Sequence, residues 1–255
     1  MFNIDQFKLF LISFVFLTGS MCFAQEEKFS RYHFYRANLL YEKGNYDEAI
    51  SEYKKLYEKG FESGNFYYNI GNCYFKKGDL GKSILNYEKA KKILPRDKDL
   101  IANYEYAKSN IEIKIIEPKS LWMIKEVDNF FEQFTIDEIT KFLFIFYIIL
   151  LIVTGVCIVL RIPMVKKVMV ISVPAILVLC NFIFLSKRID QINKEAIVIE
   201  NKIEAKFEPF EKAATHFTLY EGVKVKILSL NGNWCKIKRI DNKIGWINKD
   251  QLVII

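Results

Sequence analysis

The chain has only two histidines among its 255 residues, and this scarcity limits the chemistry it can perform. His33 lies in a helical pattern and His216 in a predicted loop, each without a motif that would activate a nucleophile or hold a metal. A pairing of His216 with Cys235 is conceivable, but Cys235 falls at an inward strand position, where a buried thiol is inert. A glycine loop that would cradle phosphate is also missing. We therefore predict a protein that is not an enzyme, with no catalytic residue, metal or cofactor.

Cysteines are few and badly placed for disulfides, although the chain has five of them. Cys22 lies in an N-terminal leader, and Cys157 and Cys180 lie in apolar runs. Only Cys73 and Cys235 would face an oxidising compartment, and each sits in a pattern typical of a core residue. The sequence therefore predicts no disulfide framework.

Two long stretches have no charged residue at all, Phe142–Leu160 and Val168–Leu185, of 19 and 18 residues. Each is long enough to cross a hydrocarbon core of roughly 30 Å at ~1.5 Å per residue. The short connector 161–167 predicts a transmembrane hairpin of two antiparallel helices. Because neither span contains an acid or a base, a transporter or a proton path has no support.

Charge around these spans predicts their orientation. The connector 161–167 carries three basic residues and no acid, which favours the cytoplasmic side. Residues 1–24 have the pattern of a signal peptide with cleavage after Ala24. We therefore expect a bacterial inner-membrane protein that crosses twice, with residues 25–141 and 186–255 in the periplasm. An uncleaved first helix would leave both soluble parts on that same side.

A repeat of 34 residues organises the N-terminal part of the chain. Matching pairs include Asn38 and Asn72, Gly44 and Gly78, Ile50 and Ile84, and Tyr53 and Tyr87. This spacing resembles the tetratricopeptide repeat, an α-helical hairpin, with units at 30–63 and 64–97. Leu100–Ile111 would add a capping helix, so that the domain covers 30–116. Two repeats bury too little surface alone, which favours stacking on a partner or formation of a homo-oligomer.

The resemblance implies a peptide-binding concave face built from the first helix of each unit. That face would carry Phe34, Asn38, Tyr41, Tyr68, Asn69, Asn72 and Phe75. Asparagine amides can bond the backbone of an extended peptide, and aromatic rings can pack its side chains. An equally weighted alternative is that Asn38 and Asn72 only form hydrogen bonds within the helix pair.

Residues 117–141 lead from the repeats to the first span. Leu121–Phe134 places apolar residues on one side and charged residues on the other, which predicts an amphipathic juxtamembrane helix in the headgroup layer. A plain helical linker is the alternative.

The last residues change to a period of two, and alternating apolar residues with tight turns predict a small closed β-barrel. Strands are expected at Ala196–Ile199, Val223–Ile227, around Cys235, at Ile244–Ile247 and at Leu252–Ile254, with an irregular loop at Glu208–Phe217. Their order and the Gly245-Trp246 pair resemble a bacterial SH3-like domain, at 190–255. A recognition surface of Phe217, Tyr220, Trp234 and Trp246 is one interpretation, and a purely structural role for the two tryptophans is the other.

The fold class is therefore multi-domain: tetratricopeptide hairpins, a two-helix transmembrane hairpin and an all-β SH3-like barrel. The net charge of +7 lies on lysine-rich helix faces, which favours a solvated surface over a nucleic-acid partner, with anionic lipid headgroups as a secondary attraction.

This order of modules resembles the membrane component of the Bacteroides-aerotolerance (Bat) group, of the BatE type. The resemblance implies a membrane complex with von Willebrand A-domain proteins, linked to oxidative stress tolerance or envelope integrity. We therefore expect a scaffold or adaptor that presents protein-binding modules to the periplasm. The alternative is a wall-associated module whose SH3-like domain binds peptidoglycan.

Overall fold

Helices form the described part of the chain up to Ile192, and a β-sheet forms its end. The structure is a computed structural model that describes residues 26–112, 130, 132–160, 163–192 and 194–255. The predicted signal peptide 1–24 and most of the amphipathic segment Leu121–Phe134 lie outside the described residues.

Five helices build the N-terminal unit. They are α1 (26–42), α2 (Tyr46–Glu58), α3 (Gly64–Lys77), α4 (Leu80–Ile93) and α5 (Lys98–Ser109). The side chains of Ser63, Asp79 and Asp97 each accept a hydrogen bond from a backbone N–H in the first turn of α3, α4 and α5. These caps satisfy donors that a helix start leaves open, so the sequence itself fixes where the helices begin.

The two repeats pack around paired small and aromatic residues. Tyr53 and Tyr87 are 0% and 1% exposed at equivalent places in the two units. A Cβ added to Gly71 would lie 2.6 Å from the Tyr87 ring, so only glycine lets α3 and α4 approach this closely. Ser83 Oγ also donates to the Gly71 carbonyl oxygen at 2.9 Å. The alternation of small and large residues at a spacing of 34 thus sets the helix packing.

Two apolar helices follow, α6 (Ile136–Val159) and α7 (Met164–Ile192). α6 starts with a capping box between Thr135 and Glu138, and only Ile139 and Cys157 among its residues are buried. With a mean hydropathy of 3.1, it is long and apolar enough to cross a membrane. α7 packs along it and contains a shorter apolar stretch, Val170–Ser186.

The helix bounds differ from the predicted spans. α6 begins six residues before Phe142, because the Thr135 cap and not the first apolar residue starts the helix. α7 begins at Met164, so part of the connector predicted at 161–167 is helical. Pro174 lies inside α7, and Asn181 Nδ2 donates to the Leu177 carbonyl oxygen of the same helix at 2.8 Å.

Seven antiparallel strands form one sheet that curls around its own apolar core. They are β1 (Glu195–Val198), β2 (Lys202–Lys206), β3 (Thr215–Tyr220), β4 (Lys224–Asn231), β5 (Trp234–Arg239), β6 (Ile244–Asn248) and β7 (Leu252–Ile254), with a 3-10 helix at Lys249–Gln251. The hydrogen-bonded order is β3-β2-β6-β5-β4-β1-β7. In the described residues β3 and β7 are therefore edges, whereas the sequence predicted a closed barrel.

Two strand predictions need correction. β2 was not predicted, and β3 occupies Thr215–Tyr220, whose first three residues were assigned to a loop. β2 and β3 pair with each other from Lys202↔Tyr220 to Lys206↔Thr215, with a bulge between Ala205 and Lys206. Each strand has only two buried residues. The alternation of buried and exposed residues is therefore too short to identify either strand from its own sequence.

The helical unit and the sheet pack against each other. Ile197 of β1 is 0% exposed and belongs to the apolar cluster of the helices. Gly81 of α4 lies so close to β1 that an added Cβ would be 3.0 Å from the Val198 carbonyl oxygen. The Gly81 N–H donates to Glu221 Oε2 at 2.9 Å, and Lys92 Nζ donates to the Ile255 carbonyl oxygen at 2.8 Å. The two units therefore share a tight interface.

A buried ionic cluster lies in this interface. Glu88 of α4 is 5% exposed, accepts from the Tyr104 hydroxyl at 2.5 Å and lies 3.3 Å from Lys224 Nζ of β4. Lys224 Nζ is also 2.9 Å from Glu195 Oε2. Burial raises the pKa of Glu88, but Lys224, Tyr104 and Lys91 outweigh it and hold that pKa below its usual value. Glu88 is therefore ionised and joined to the sheet.

Candidate functional site

The first helix of each repeat and the capping helix lie side by side and form one face of the helical unit. Asn38 of α1 contacts Asn69 of α3, and Asn72 of α3 contacts Asn103 of α5. We call this face the groove, and the seven residues that the sequence predicted for peptide binding lie on α1 and α3, the first helices of the two repeats.

A polar ladder runs through the groove with the period of the repeat. Asn38 Oδ1 accepts from the Tyr53 hydroxyl and, at 3.0 Å, from Asn69 Nδ2. Thirty-four residues later, Asn72 Oδ1 accepts from the Tyr87 hydroxyl at 2.6 Å and from Asn103 Nδ2 at 3.2 Å. Burial raises the pKa of both tyrosines, so their hydroxyls stay protonated and donate.

The ladder changes what Asn38 and Asn72 can offer a ligand. Both side-chain oxygens are already used by partners inside the helical unit. The geometry therefore agrees with hydrogen bonding within the helix pair, and it gives these two residues a part in stability. Contact of the groove with a peptide stays a prediction.

Aromatic rings line the groove beside the ladder. Tyr35 of α1 is 65% exposed and Tyr106 of α5 is 63% exposed. The Tyr106 ring packs on Phe75 with centroids 5.5 Å apart. Tyr68 of α3 joins the two helices α3 and α5, because its hydroxyl accepts a hydrogen bond from Asn103 Nδ2 at 2.7 Å. Exposed tyrosines can cover the apolar side chains of a bound peptide at little cost in side-chain entropy.

Three groove residues were missed at the level of sequence: Tyr35, Asn103 and Tyr106. The repeat period would have found them, because each lies 34 residues from a position already chosen. Tyr35 and Asn103 are the equivalents of Asn69, and Tyr106 is the equivalent of Asn72. The repeat therefore extends into α5.

Only part of the recognition surface that was predicted on the sheet is exposed to solvent. Phe217 is 7% exposed, belongs to the core of the sheet and has Arg239 over its ring at 4.9 Å, so its assignment to a recognition surface is wrong. Tyr220, Trp234 and Trp246 are partly exposed on the outer face. Trp246 lies opposite Lys236, whose ammonium is 5.7 Å from the ring centroid. Trp234 and Trp246 are diagonal neighbours across β5 and β6.

The thiols of Cys73 in the helical unit and Cys235 in the sheet are buried. Burial raises the pKa of Cys73 to about 12 and raises that of Cys235 as well. Such groups are poor nucleophiles. In the part of the chain that the structure describes, no cluster of three or more His, Cys, Asp or Glu side chains has the arrangement of a metal site.

Comparison with known families identifies the repeats. Two models of the tetratricopeptide repeat match, one at residues 30–59 and one at residues 64–97. The chain therefore contains two tetratricopeptide repeats, a kind of module that typically binds other proteins and is not catalytic. No curated protein matches the sequence. Membership of the Bat group and of the SH3-like family stays a prediction.

Proposed function

We propose that this protein is a membrane-anchored, non-enzymatic adaptor whose repeat groove binds a partner protein. The observation that carries this proposal is the pair of tetratricopeptide repeats, which present exposed Tyr35 and Tyr106 beside an internally satisfied asparagine ladder. The apolar helix α6 and the apolar part of α7 supply the anchor. Anchoring raises the effective concentration of the groove for partners in the same membrane.

The contact between the helical unit and the sheet supports a hairpin in which both helices cross the bilayer. The two units share a buried ionic cluster around Glu88 and Lys224, and α6 and α7 lie between them in the chain. Two units that touch must lie on the same side of the membrane, which requires an even number of crossings. A bacterial inner membrane with both units in the periplasm satisfies this requirement together with the basic residues at 161–167.

The partner class follows from the order of the modules. That order, from leader through repeats and apolar hairpin to a β-module, supports an aerotolerance-type complex with membrane proteins that carry von Willebrand A domains. In such a complex the adaptor would hold its partners together under oxidative or envelope stress.

Variants of the groove test the adaptor function. Tyr35→Ala with Tyr106→Ala should abolish co-purification of integral-membrane partners from mild detergent, because it removes the exposed rings. Tyr57→Ala is the control: Tyr57 is 53% exposed, but it lies on α2, the second helix of the first repeat, outside the groove. Equal recovery of the same partners by both variants would disprove binding through the groove.

Accessibility to a membrane-impermeant maleimide tests the topology. Single cysteines at Lys54 and Lys202, both exposed, should react in intact spheroplasts. Reaction at one position and not at the other would rule out the same-side arrangement.

A second candidate function is binding of peptidoglycan by the sheet, favoured by the neighbouring Trp234 and Trp246 on its outer face. The detergent-solubilised chain should then sediment with purified wall sacculi, and Trp246→Ala should reduce the sedimented fraction. If the unsubstituted chain stays in the supernatant, the wall has no role as its ligand.

A further inference from the structure

The contacts between α4 and β1 show which end of the sheet lies near the membrane anchor. A Cβ added to Gly81, at the start of α4, would lie 3.0 Å from the Val198 carbonyl oxygen at the end of β1. At the other end of α4, Lys92 Nζ donates to the Ile255 carbonyl oxygen, and the Ile255 N–H donates to the Glu195 carbonyl oxygen at the start of β1. β1 therefore runs antiparallel to α4, and its start lies beside the C-terminal end of that helix.

The C-terminal end of α4 is in turn connected to the start of α6. Arg96, which follows α4, pairs with Glu138 in the first turn of α6 at 2.6 Å. Its guanidinium also lies 5.9 Å from the centroid of the Phe134 ring, just before that helix. β1 itself begins three residues after Ile192, the last residue of α7. The start of β1 and the first turn of α6 therefore lie at the same end of the soluble body, the end that faces the anchor.

The hairpin of β4 and β5 extends beyond the start of β1 at this same end. Glu195 of β1 is opposite Lys226 of β4, and the Ile227 N–H donates to the Lys194 carbonyl oxygen at 2.6 Å. β4 then continues for four more residues to Asn231, which is roughly 13 Å at the rise of a strand. The hairpin is therefore the part of the sheet that extends farthest towards the membrane.

Residues 228–234, which we call the hairpin tip, are uncharged and expose apolar side chains. Leu228 is 41% exposed and Leu230 is 61% exposed. Leu230 is opposite the buried Cys235 of β5, so its side chain lies on the core face of the sheet but beyond the end of the core. Trp234, at the end of the tip, is partly exposed. The tip thus presents an apolar surface at the end of the sheet that faces the anchor.

Lysines lie where the hairpin tip joins the rest of the sheet. Lys226 and Lys236 flank the uncharged segment 227–235 on its two sides. The Lys249 N–H donates to the Asn233 carbonyl oxygen at 2.8 Å, which places a third lysine beside the turn of the hairpin. Exposed leucines and a tryptophan next to lysines form the pattern of a segment that lies in a membrane interface.

We propose that the hairpin tip lies in the interface of the bilayer that anchors the chain, with Leu228 and Leu230 in contact with acyl chains, an inference that rests on the membrane anchoring proposed above. Trp234 lies at the level of the headgroups, and the neighbouring lysines attract those that are anionic. Each methylene group that leaves water contributes about four-fold to the partition. The tip is then an attachment in addition to α6 and α7, and it holds the repeat groove at a fixed angle to the membrane.

A loop at the opposite end of the sheet provides an internal control. Phe207, at the start of this loop, is 57% exposed, which is similar to Leu230. The Phe207 ring stacks on His216 with centroids 4.2 Å apart, and His216 Nδ1 lies 2.9 Å from the Ile244 carbonyl oxygen. Ile244 is opposite Lys238, at the end of β5 that is remote from the hairpin tip. This exposed aromatic side chain should therefore not contact lipid.

Photolabelling of the full chain in nanodiscs tests the contact of the hairpin tip with acyl chains. Each disc holds one chain and contains a phospholipid with a diazirine group in its acyl chain, and mass spectrometry locates the label in tryptic peptides. We expect label in peptide 142–161, which belongs to α6, and in peptide 227–236, which contains the tip. Peptide 207–212, from the control loop, should carry none.

The three peptides separate failure of this inference from failure of the membrane anchoring. Label in peptide 142–161 without label in peptide 227–236 would overturn the proposal and leave the tip available to a partner protein. Equal labelling of peptides 207–212 and 227–236 would overturn it as well, because the contact would not be specific to the tip. If peptide 142–161 carries no label, the chain is not anchored through α6, which is a different outcome.

Substitutions test whether the leucines make the contact. Leu228→Ser with Leu230→Ser should lose the label in the peptide that contains the tip and keep it in peptide 142–161. Both leucines are exposed, so this change leaves the core of the sheet intact. Ile240→Ser is the matched control, because Ile240 is 51% exposed in the turn at the other end of β5, and it should keep the label at the tip. Undiminished labelling of the tip in the double variant would contradict the proposal.

Discussion

At the scale of single residues, the asparagines of the groove show how one side chain can serve stability where binding was expected. Asn38 and Asn72 each accept from a tyrosine hydroxyl fifteen residues later and from an asparagine thirty-one residues later. The repeat period makes the two sets equivalent. The sequence predicted a place for these residues on one face, and their partners follow from the packing of three helices.

Removal of the Asn72 side chain should destabilise the helical unit. Asn72→Ala leaves the buried Tyr87 hydroxyl without its acceptor, and we expect a loss of about 1–3 kcal/mol in the free energy of unfolding. Tyr87→Phe should cost about 1 kcal/mol, because Asn72 keeps Asn103 as a donor. Denaturant titration of the full chain in mild detergent, followed by circular dichroism, measures both.

The combination of the two substitutions provides the check. If the hydrogen bond matters, Asn72→Ala with Tyr87→Phe should cost less than the sum of the single changes. Asn86→Ala is a suitable control, because Asn86 donates to a carbonyl oxygen of its own helix α4 in an exposed position. If the losses in unfolding free energy of the two single variants add up to that of the double variant, the hydrogen bond between Tyr87 and Asn72 does not contribute to stability.

At the scale of elements, periodicity predicted the helices well and the strands unevenly. The predicted repeats overlap α1–α4, and the predicted capping helix overlaps α5 at Lys98–Ser109. A helix forms its backbone hydrogen bonds within one short segment, so the local pattern of residues is enough to predict it. β2 and β3 have only two inward residues each and are defined by their mutual pairing, which a scan along the chain does not detect.

A charge in the middle of α6 tests whether this helix crosses a membrane. Ile152 is 60% exposed, so Ile152→Arg should cost about 3 kcal/mol in membrane insertion if the side chain faces lipid. The fraction of the protein that resists extraction with alkaline carbonate should fall, while Ile152→Leu should leave it unchanged. An equal fraction for Ile152→Arg would show that α6 does not lie in the hydrocarbon core.

At the scale of the whole molecule, the interface between helices and sheet is the main feature that the sequence did not predict. It joins Glu88 to Lys224 across 136 positions and Gly81 to Glu221 across 140 positions of the chain. Residues so far apart share no local pattern. The sequence therefore described two separate modules where the structure has two units in contact.

The buried ionic cluster predicts a pH dependence of this interface. The pKa of Glu88 is held below its usual value of 4.5, because Lys224 and Tyr104 outweigh the opposing effect of burial. A carboxyl whose pKa is lowered in the folded state stabilises it above the unfolded pKa and loses that effect as pH falls through the folded value. Stability should thus decline below about pH 4.5, and this decline should weaken in Glu88→Gln.

Glu88→Gln should also cost roughly 1–3 kcal/mol at neutral pH, because Lys224 loses one of its two carboxylates. Glu105→Gln serves as the control, because Glu105 lies on the exposed side of α5 and pairs with Lys108 of the same helix. Unfolding of the full chain between pH 3 and pH 7 measures both effects. An identical pH profile for the two variants would contradict a role of Glu88 in the interface.

The sequence by itself determined the repeat helices, the apolar hairpin segments and most inward positions of the sheet, because these depend on periods of 34, 3.6 and 2 within short segments. Only the tertiary structure decided that Phe217 is buried under Arg239, that the asparagine oxygens are occupied, and that Glu88 joins the helices to the sheet. Those outcomes are contacts between distant segments. Their energies depend on which surfaces meet, and local pattern carries no information about that.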